Sequence, residues 1–361
     1  MKVSGFLGYR ARKGCSRCNL SFPTDHFGDK PDYTNFNRQA WDKRDNNSHR
    51  LVAMQHKNGA TKSIKAAIEK SHEVRYSCLL ELPYFDAPRM CIIDPMHNLL
   101  LGTAKHCVEV WKQKGMTSSQ VLVDIQKKVG SFSCPSDVGR IPSKIQSSFS
   151  GFTADQWRSW TVLFSLFSSK GIIPANDYNC WLLFVKACDL LCRRSLTAFE
   201  LNNADAYIME FCNKFVTLYG KEHCTINMHL HGHLNECISD YGPVYSFWCF
   251  AFERMNGVLG SYDTNNHNIS IQLARRFLDS KEYATLNWPT EFVDEYSPLL
   301  TKFVYQKGSL KLDSSIGDRT IQPLPPITEN SFTSTQQQHI KSLITEVPSS
   351  DFDVLMLHNE T

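Results

Sequence analysis

Apolar residues recur at helical spacing through the middle of the chain. The first such segment starts at Asp94 and Pro95, a capping residue followed by the residue best suited to the first helical position, and Gly115 ends it. We expect an amphipathic helix here. Its apolar face consists of Leu100, Ala104, Val108 and Trp111.

Further helices are predicted on both sides of this segment. Thr153 to Gln156 forms a capping box, and Gly171 follows the apolar run behind it. The segments 176–194 and 203–219 show the same spacing, and 61–73 predicts a shorter helix. The middle of the chain is therefore predicted to be an α-helical bundle. The run behind the capping box consists of Trp157, Trp160, Phe164 and Phe167.

The remaining segments lack helical periodicity. Residues 3–9 are short, apolar and punctuated by glycine, which indicates the end of a β-strand. Polar residues dominate 22–50, and Ser, Pro and Gly dominate 131–151, so we expect irregular structure in both. The pattern fades near the C-terminus, where we expect a loosely attached tail with one weak helix at 337–344.

Composition narrows the class of protein. The 361 residues are 42% hydrophobic and 12% aromatic, which suffices for a packed core, whereas a net charge of +3 is too small to indicate nucleic-acid binding. Thirteen cysteines, several in apolar runs, are typical of reduced, buried thiols in a reducing intracellular compartment. We expect neither secretion nor membrane spanning, since no signal-like h-region and no apolar stretch of about eighteen residues occurs.

Four residues have the types and spacing of a zinc site. Cys15 and Cys18 form a C-x-x-C motif next to Gly14, and His229 and His233 are four residues apart. Residues at i and i+4 share a helix face, so both imidazoles can reach one ion, while His231 between them points away. Such an ion would link an N-terminal loop to a helix late in the chain.

Each half of this site has an ordinary alternative. A C-x-x-C can be a redox pair or two unrelated loop cysteines, and histidines at this spacing often lie on a polar helix surface. His26 and His49 are substitute ligands if the histidine pair is not used.

Two carboxylates also stand out. Asp94 with His97 can form a functional pair, although capping of the helix start is the favoured interpretation of the aspartate. Glu253 follows a run of aromatic residues, so we expect a dry environment in which a structural ion pair with Arg254 is the ordinary alternative to a functional role.

Three strings of the sequence together resemble a known family. They are GFLGYRARKGCSRC, YSCLLELPYFDAPRMCIIDPMHNLLLG and NMHLHGHLNECISDYGPVYSFWCFAFERMNGVLGSY. In this order they resemble the transposases of the CACTA (En/Spm-like) DNA transposons, over roughly residues 3 to 280.

The resemblance implies a DDE-type enzyme whose RNase H-like α/β core is interrupted by a long helical insertion. The implied fold class is mainly α, with a helical insertion bundle attached to a remnant of that core and a zinc site. The corresponding segments are 1–60, the end of the RNase H-like part with the zinc loop; 61–225, the insertion; 226–290, the C-terminal helices of the core; and 291–361, the tail.

The resemblance also implies a chemistry and partners. Three carboxylates of such enzymes hold two Mg²⁺ ions for DNA cleavage and strand transfer, and Glu253 matches the third carboxylate. Transposon-end DNA is the implied partner, with a nuclear location, no membrane and room for a homo-oligomer. The implied DNA-contacting residues are Arg10, Arg12, Lys13 and Arg254, of which the first three are also typical of a solvated loop, and the implied structural zinc ligands are Cys15, Cys18, His229 and His233.

One departure from the family matters for activity. Its members carry one aspartate shortly before the GFLG string and another further upstream, and this sequence starts at Met1 with neither. One carboxylate cannot fix two divalent ions, so we expect no cleavage or strand transfer by this chain alone. The alternative hypothesis is a domesticated, zinc-stabilised module that binds DNA or a partner protein without catalysis.

Overall fold

The computed structural model describes residues 2–9, 11–24, 28, 30–132 and 141–285, together with 311–312 and 321–322. Helices dominate these residues, and the chain divides into two units, Met1–Phe277 and Leu278–Thr361. The described part of the second unit holds the end of one helix and two antiparallel two-residue strands, β1 (Lys311–Leu312) and β2 (Ile321–Gln322). No helix in the described residues has the length and apolar character needed to cross a membrane.

The described residues form thirteen α-helical segments. In order they are α1 Asn46–Asn58, α2 Lys62–His72, α3 Ala87–Met90, α4 Lys105–Gln113, α5 Ser119–Gly130, α6 Ala154–Ser159, α7 Ser165–Ser169, α8 Ala175–Leu191, α9 Ala198–Tyr219, α10 Ile226–His231, α11 Leu234–Tyr241, α12 Phe250–Gly260 and α13 Ile269–Thr285. Two π-helical segments, Met96–Ala104 and Trp160–Phe164, lead directly into α4 and α7. Short 3₁₀ turns lie at Lys2–Ser4, Arg38–Ala40, Cys78–Glu81, Lys221–His223 and Val244–Ser246.

The helix predicted from Asp94 to Gly115 is confirmed, but its first part is a π-helix, which has a wider turn than the expected α-helix. Its apolar face is buried throughout, and the positive φ of Gly115 lies just beyond its end. The first nine residues are π-helical, and α10 packs against them. Gly102 is needed here, since a Cβ there would lie 2.6 Å from the backbone oxygen of His97 and would also clash with the Asn227 side chain.

The helix predicted behind the capping box is confirmed at its start and wrong at its end. Thr153 and Gln156 form both bonds of the capping box, and Trp157 and Trp160 are buried. Phe167, however, is 49% exposed, although the α-helical period places it on the buried face. The π-helical segment explains this, because one extra residue rotates all later positions by about 100°. Serines therefore take the buried positions after the π-helical segment: Ser165, Ser168 and Ser169.

The helices α8 and α9 form the centre of the core. They make the most extensive contact between any two elements, as an αα-hairpin whose second helix starts with a capping box at Thr197 and Glu200. Aromatic rings fill the contact, with Phe184 and Phe211 only 4.9 Å apart between centroids. The predicted apolar faces of both segments are thus confirmed.

The N-terminal part is less regular. The strand expected within residues 3–9 is wrong: a 3₁₀ turn occupies Lys2–Ser4, and Phe6 makes a single bridge to Val74. Among the described residues of 22–50, irregular structure is confirmed up to Asp45, which caps α1 through the backbone N–H of Ser48. Residues 133–140 of the predicted loop and the helix expected at 337–344 lie outside the described residues, and the domain boundaries stay predictions.

A buried histidine in α1 generates a test of this N-terminal packing. His49 is 4% exposed and lies 4.5 Å from the Phe6 ring, and burial, aided by the charges of Arg44 and Arg50, lowers its pKa to about 4. It is therefore neutral when folded and takes up a proton on unfolding below its ordinary pKa of about 6.5. Between about pH 6.5 and about pH 4, we expect it to cost on the order of 1.4 kcal/mol of unfolding free energy per pH unit.

The change that tests this is His49→Gln, compared with His72→Gln on the exposed end of α2. Denaturant unfolding across the same acidic range should show a shallower loss of stability for the first variant only. Identical pH slopes for both variants would contradict a buried neutral imidazole at this position.

Candidate metal centre

Two cysteines and two histidines meet in the interior. One potential ligand atom from each of Cys15, Cys18, His229 and His233 lies within 4.8 Å of the other three, and all four residues are buried. The thiol of Cys18 is 3.4 Å from Nε2 of His229, across 211 residues of sequence. Ligands around a tetrahedral zinc ion are about 3.3–3.8 Å apart, so small side-chain adjustments suffice to close such a site.

One arginine holds the cysteine loop in shape. The guanidinium of Arg44 donates to the carbonyl oxygens of Cys15 at 2.9 Å, Cys18 at 3.1 Å and Lys13 at 2.9 Å. Gly14 is required by close approach, because a Cβ there would lie 2.7 Å from the Tyr9 carbonyl oxygen. With its carbonyls bound from outside, the loop turns both sulfurs inward.

The two histidines do not share one helix. α10 ends at His231, and His233 precedes α11, so the expectation of a single helix face is wrong. The break occurs at Gly232, where a Cβ would lie 2.5 Å from the Trp41 ring. The close approach allows that ring to lie 4.3 Å and 4.8 Å, between centroids, from the imidazoles of His229 and His233. Packing of Trp41 therefore sets the turn that brings the second imidazole to the site.

His231 points away from the cluster, as expected. It is fully buried, with Nε2 3.0 Å from the Thr103 hydroxyl and Nδ1 3.6 Å from the Cys212 sulfur. Of the three alternating histidines, His229 and His233 therefore belong to the candidate metal site, and His231 belongs to the core.

The hydrogen bonds around His233 match those of a metal ligand. Its Nδ1 lies 3.2 Å from a carboxylate oxygen of Glu236, which also pairs with Lys43 at 2.9 Å. The opposite ring nitrogen, Nε2, is buried without any hydrogen-bond partner, and so is Nδ1 of His229. Metal-bound histidines typically donate their second nitrogen to a carboxylate. An ion in the cluster would satisfy the unpaired Nε2, so the residues fit zinc.

The electrostatics of the cluster favour a thiolate at Cys15. Burial raises the pKa of this thiol, but the neighbouring side chains of Cys18, His229 and His233 outweigh it and bring the pKa well below its ordinary value. The hydrogen bond to Cys15, followed by burial, raises the pKa of Cys18. The bond with His233 is the main reason that the pKa of Glu236 falls to about 2. A divalent ion would displace the remaining thiol proton.

A buried arginine stabilises the other side of the loop. Arg17 donates to the Arg89 carbonyl oxygen at 2.9 Å and lies 3.5 Å from Asp240 and 4.0 Å from Glu236. Sequence reasoning missed Arg17, Trp41, Arg44 and Glu236. Only Glu236 had a local signal, since it lies three residues after His233 in a helical stretch.

The two substitute ligands do not contribute. His49 is buried against the ring of Phe6, which belongs to a separate small hydrophobic cluster. His26 lies outside the described residues.

Glu253 occupies a different environment from the one expected. Its side chain is 53% exposed, because α12 has no buried residue and the preceding rings of Phe247, Trp248 and Phe250 pack on the core without covering it. The prediction of a dry site is therefore wrong. No ion pair joins it to Arg254, although both residues are described; its carboxylate lies 3.9 Å from Nε2 of His97 instead.

Asp94 caps its helix and does more. Its carboxylate accepts from the backbone N–H groups of Met96 at 3.2 Å and His97 at 3.1 Å, which confirms the capping interpretation. It also accepts from the backbone N–H of Cys249 at 2.9 Å and pairs with the imidazole of His97.

The basic residues assigned to DNA contact lie at or near the surface. Arg12 is exposed and donates from Nε to the Ser21 hydroxyl at 2.7 Å, while Lys13 is half-buried. The backbone N–H groups of both bind the Glu73 carboxylate. Arg254 is exposed on α12, and Arg10 lies outside the described residues. Contact with DNA stays a prediction.

No protein-family model matches this chain, and no curated protein matches it.

Removal of one thiol tests the metal centre. We expect Cys15→Ser to lose one equivalent of tightly bound zinc and to unfold at a lower temperature, since a structural zinc site contributes on the order of 10 kcal/mol in small domains. Metal analysis by mass spectrometry and thermal unfolding measure this. Cys78→Ser, at an exposed thiol, is the matched control. Retention of the ion by the Cys15 variant would contradict the site.

The carboxylate behind His233 generates a second prediction. Glu236→Gln keeps the side-chain shape and removes the charge that orients the imidazole, so we expect zinc affinity to fall about 10- to 100-fold. Competition with a chromophoric chelator measures the change. Glu109→Gln, on the exposed face of α4, is the control, and equal affinities for both variants would exclude a supporting role for Glu236.

Proposed function

We propose that this chain is derived from a DDE-type transposase and that zinc bound by Cys15, Cys18, His229 and His233 holds it together. The convergence of these four buried residues carries the proposal. They belong to two of the three strings on which the resemblance to CACTA transposases rests. Similar strings alone do not require residues so far apart in sequence to meet. The zinc site that the resemblance implies does require it.

The helical bundle agrees with the proposed architecture. The helices α2 to α9 lie between the cysteine loop and the histidine pair in sequence, where the family has its insertion. We assign 61–225 to that insertion, and 1–60 and 226–290 to the remnant of the RNase H-like core. Among the described residues, extended pairing comprises the bridges Phe6–Val74 and Cys18–Lys43 and the short strands β1 and β2, so this remnant would lack a full sheet.

The parent reaction would be Mg²⁺-dependent cleavage and transfer of DNA strands. In that reaction Glu253 would bind metal, and its exposure leaves it open to ions and to DNA. The other two carboxylates of the family's set have no counterpart in the strings. We therefore propose that the chain is catalytically incomplete, acts in the nucleus on transposon-end DNA and can form a homo-oligomer.

A second candidate function is a zinc-stabilised module that binds DNA or a partner protein without catalysis. The observation that favours it is the exposed Arg12, three residues before the buried Cys15. A rigid loop that presents a basic side chain suits contact with a phosphate backbone.

A DNA-binding assay tests both candidate functions. We expect salt-sensitive binding and no nicking with Mg²⁺ or Mn²⁺, and we expect Arg12→Ala with Lys13→Ala to reduce the slope of log affinity against log salt by about 1–2. Electrophoretic mobility shifts over a salt series measure the slope. The control is Lys112→Ala with Lys114→Ala on an exposed surface of the bundle.

The outcomes separate the hypotheses. Absence of binding at low salt would overturn DNA as the partner and leave protein binding. Nicking that disappears in Glu253→Gln would contradict the proposed incompleteness and support the DDE assignment. Binding without nicking, reduced by the Arg12 and Lys13 changes, is the expected result.

A further inference from the structure

A second group of metal-ligating side chains lies at the surface. One ligand atom from each of Asp94, His97 and Cys249 lies within 4.8 Å of the other two. A carboxylate oxygen of Glu253 is 3.9 Å from Nε2 of His97. Unlike the buried centre, this group is partly open to solvent, since the side chains of His97 and Glu253 are about half exposed.

A backbone hydrogen bond brings the group together. Asp94 accepts from the backbone N–H of Cys249, which is 155 residues later in the sequence, while it caps the helix that starts at Met96. The start of α12 is thereby fixed against the start of the π-helical segment. Glu253 lies four residues after Cys249 on the same helix, one turn further along, and so reaches His97.

The imidazole of His97 is oriented as a ligand would be. One ring nitrogen, Nδ1, lies beside the Asp94 carboxylate within the group, and the other, Nε2, faces the Glu253 carboxylate at 3.9 Å. A carboxylate at the ring nitrogen that does not bind the ion is the usual arrangement of a metal-binding histidine.

The charges of the group call for a cation. Two carboxylates and a thiol lie close together, and within the described residues no lysine or arginine forms an ion pair with Asp94 or Glu253. Binding of a divalent ion to the thiol would release its proton to solvent.

We propose that Asp94, His97 and Cys249 bind a second divalent transition-metal ion, with Zn²⁺ as the natural occupant and Glu253 as the carboxylate that orients His97. A donor set of one imidazole, one thiolate and one carboxylate suits zinc and cobalt, whereas Mg²⁺ and Ca²⁺ prefer oxygen ligands alone. Solvent exposure would leave a position for water or another ligand, as in open zinc sites. The proposal rests on these contacts and is independent of the transposase assignment.

Cobalt titration of the zinc-containing protein tests the site. Co²⁺ bound by a thiolate absorbs in the near ultraviolet. Zinc released from the protein into solution, measured at the same time, reveals any exchange at the buried centre. We expect one additional equivalent of Co²⁺ to bind with a thiolate absorption band and without release of zinc. Isothermal titration in two buffers should show a proton released at each binding event.

Variants identify the ligands. Cys249→Ser should remove the absorption band, and both this change and His97→Ala should weaken binding about tenfold or more. Cys78→Ser and His72→Ala, at exposed positions, are the matched controls and should bind as the unchanged protein does. Circular dichroism and retention of zinc at the buried centre show that each variant is folded.

Two results would overturn the proposal. One is that the protein, in the presence of excess Co²⁺, holds zinc at the buried centre and binds no additional equivalent of cobalt. The other is a second equivalent that Cys249→Ser and His97→Ala both leave unchanged, which would place the ion elsewhere. Neither result bears on DNA binding, and loss of DNA binding leaves this site intact, so the two proposals fail separately.

Discussion

The contact between Cys15, Cys18, His229 and His233 is the constraint on which the rest of the structure depends. Four buried titratable groups without an ion would leave ring nitrogens unpaired and two thiols competing for one negative charge. A zinc ion removes both penalties at once, because it takes a lone pair from each ligand and neutralises the thiolates. Burial of Cys15 and His233 together is thus best understood as part of a folding reaction coupled to metal binding.

Residues outside the ligand set make that contact precise. Arg44 binds three carbonyl oxygens of the cysteine loop, and the Trp41 ring lies against both imidazoles where Gly232 permits it. Both residues come from the irregular segment before α1, which has little regular structure of its own. This segment is held in place by its contacts with the cysteine loop on one side and with the break between α10 and α11 on the other. Each of these two contacts has a backbone position, Gly14 and Gly232, that only glycine fills without a clash.

Local patterns predicted what depends on local physics. The capping residues Asp94 and Thr153 and the apolar faces behind them could be read from the sequence, because caps and helical period act within a few residues. The exposure of Phe167 could not, since a π-helical turn depends on packing against distant residues. The ligand types and spacing indicated the metal site, whereas Arg44 and Trp41 carried no signal. The aromatic run before Glu253 misled, because Phe247, Trp248 and Phe250 pack on the core whereas Phe252 and the glutamate are exposed.

The position of Glu253 follows from three anchors along some twenty residues. His233 fixes the start of α11 at the metal centre, and Asp240 near its end binds both Arg17 and Arg89. Beyond the helix, Asp94 holds the backbone of Cys249. Each anchor joins this C-terminal stretch to a part of the chain more than a hundred residues earlier, so its geometry is set by the whole unit rather than by α12. An exposed carboxylate on a helix without buried residues can thereby keep a fixed place beside His97, which is the condition for either proposed use of it.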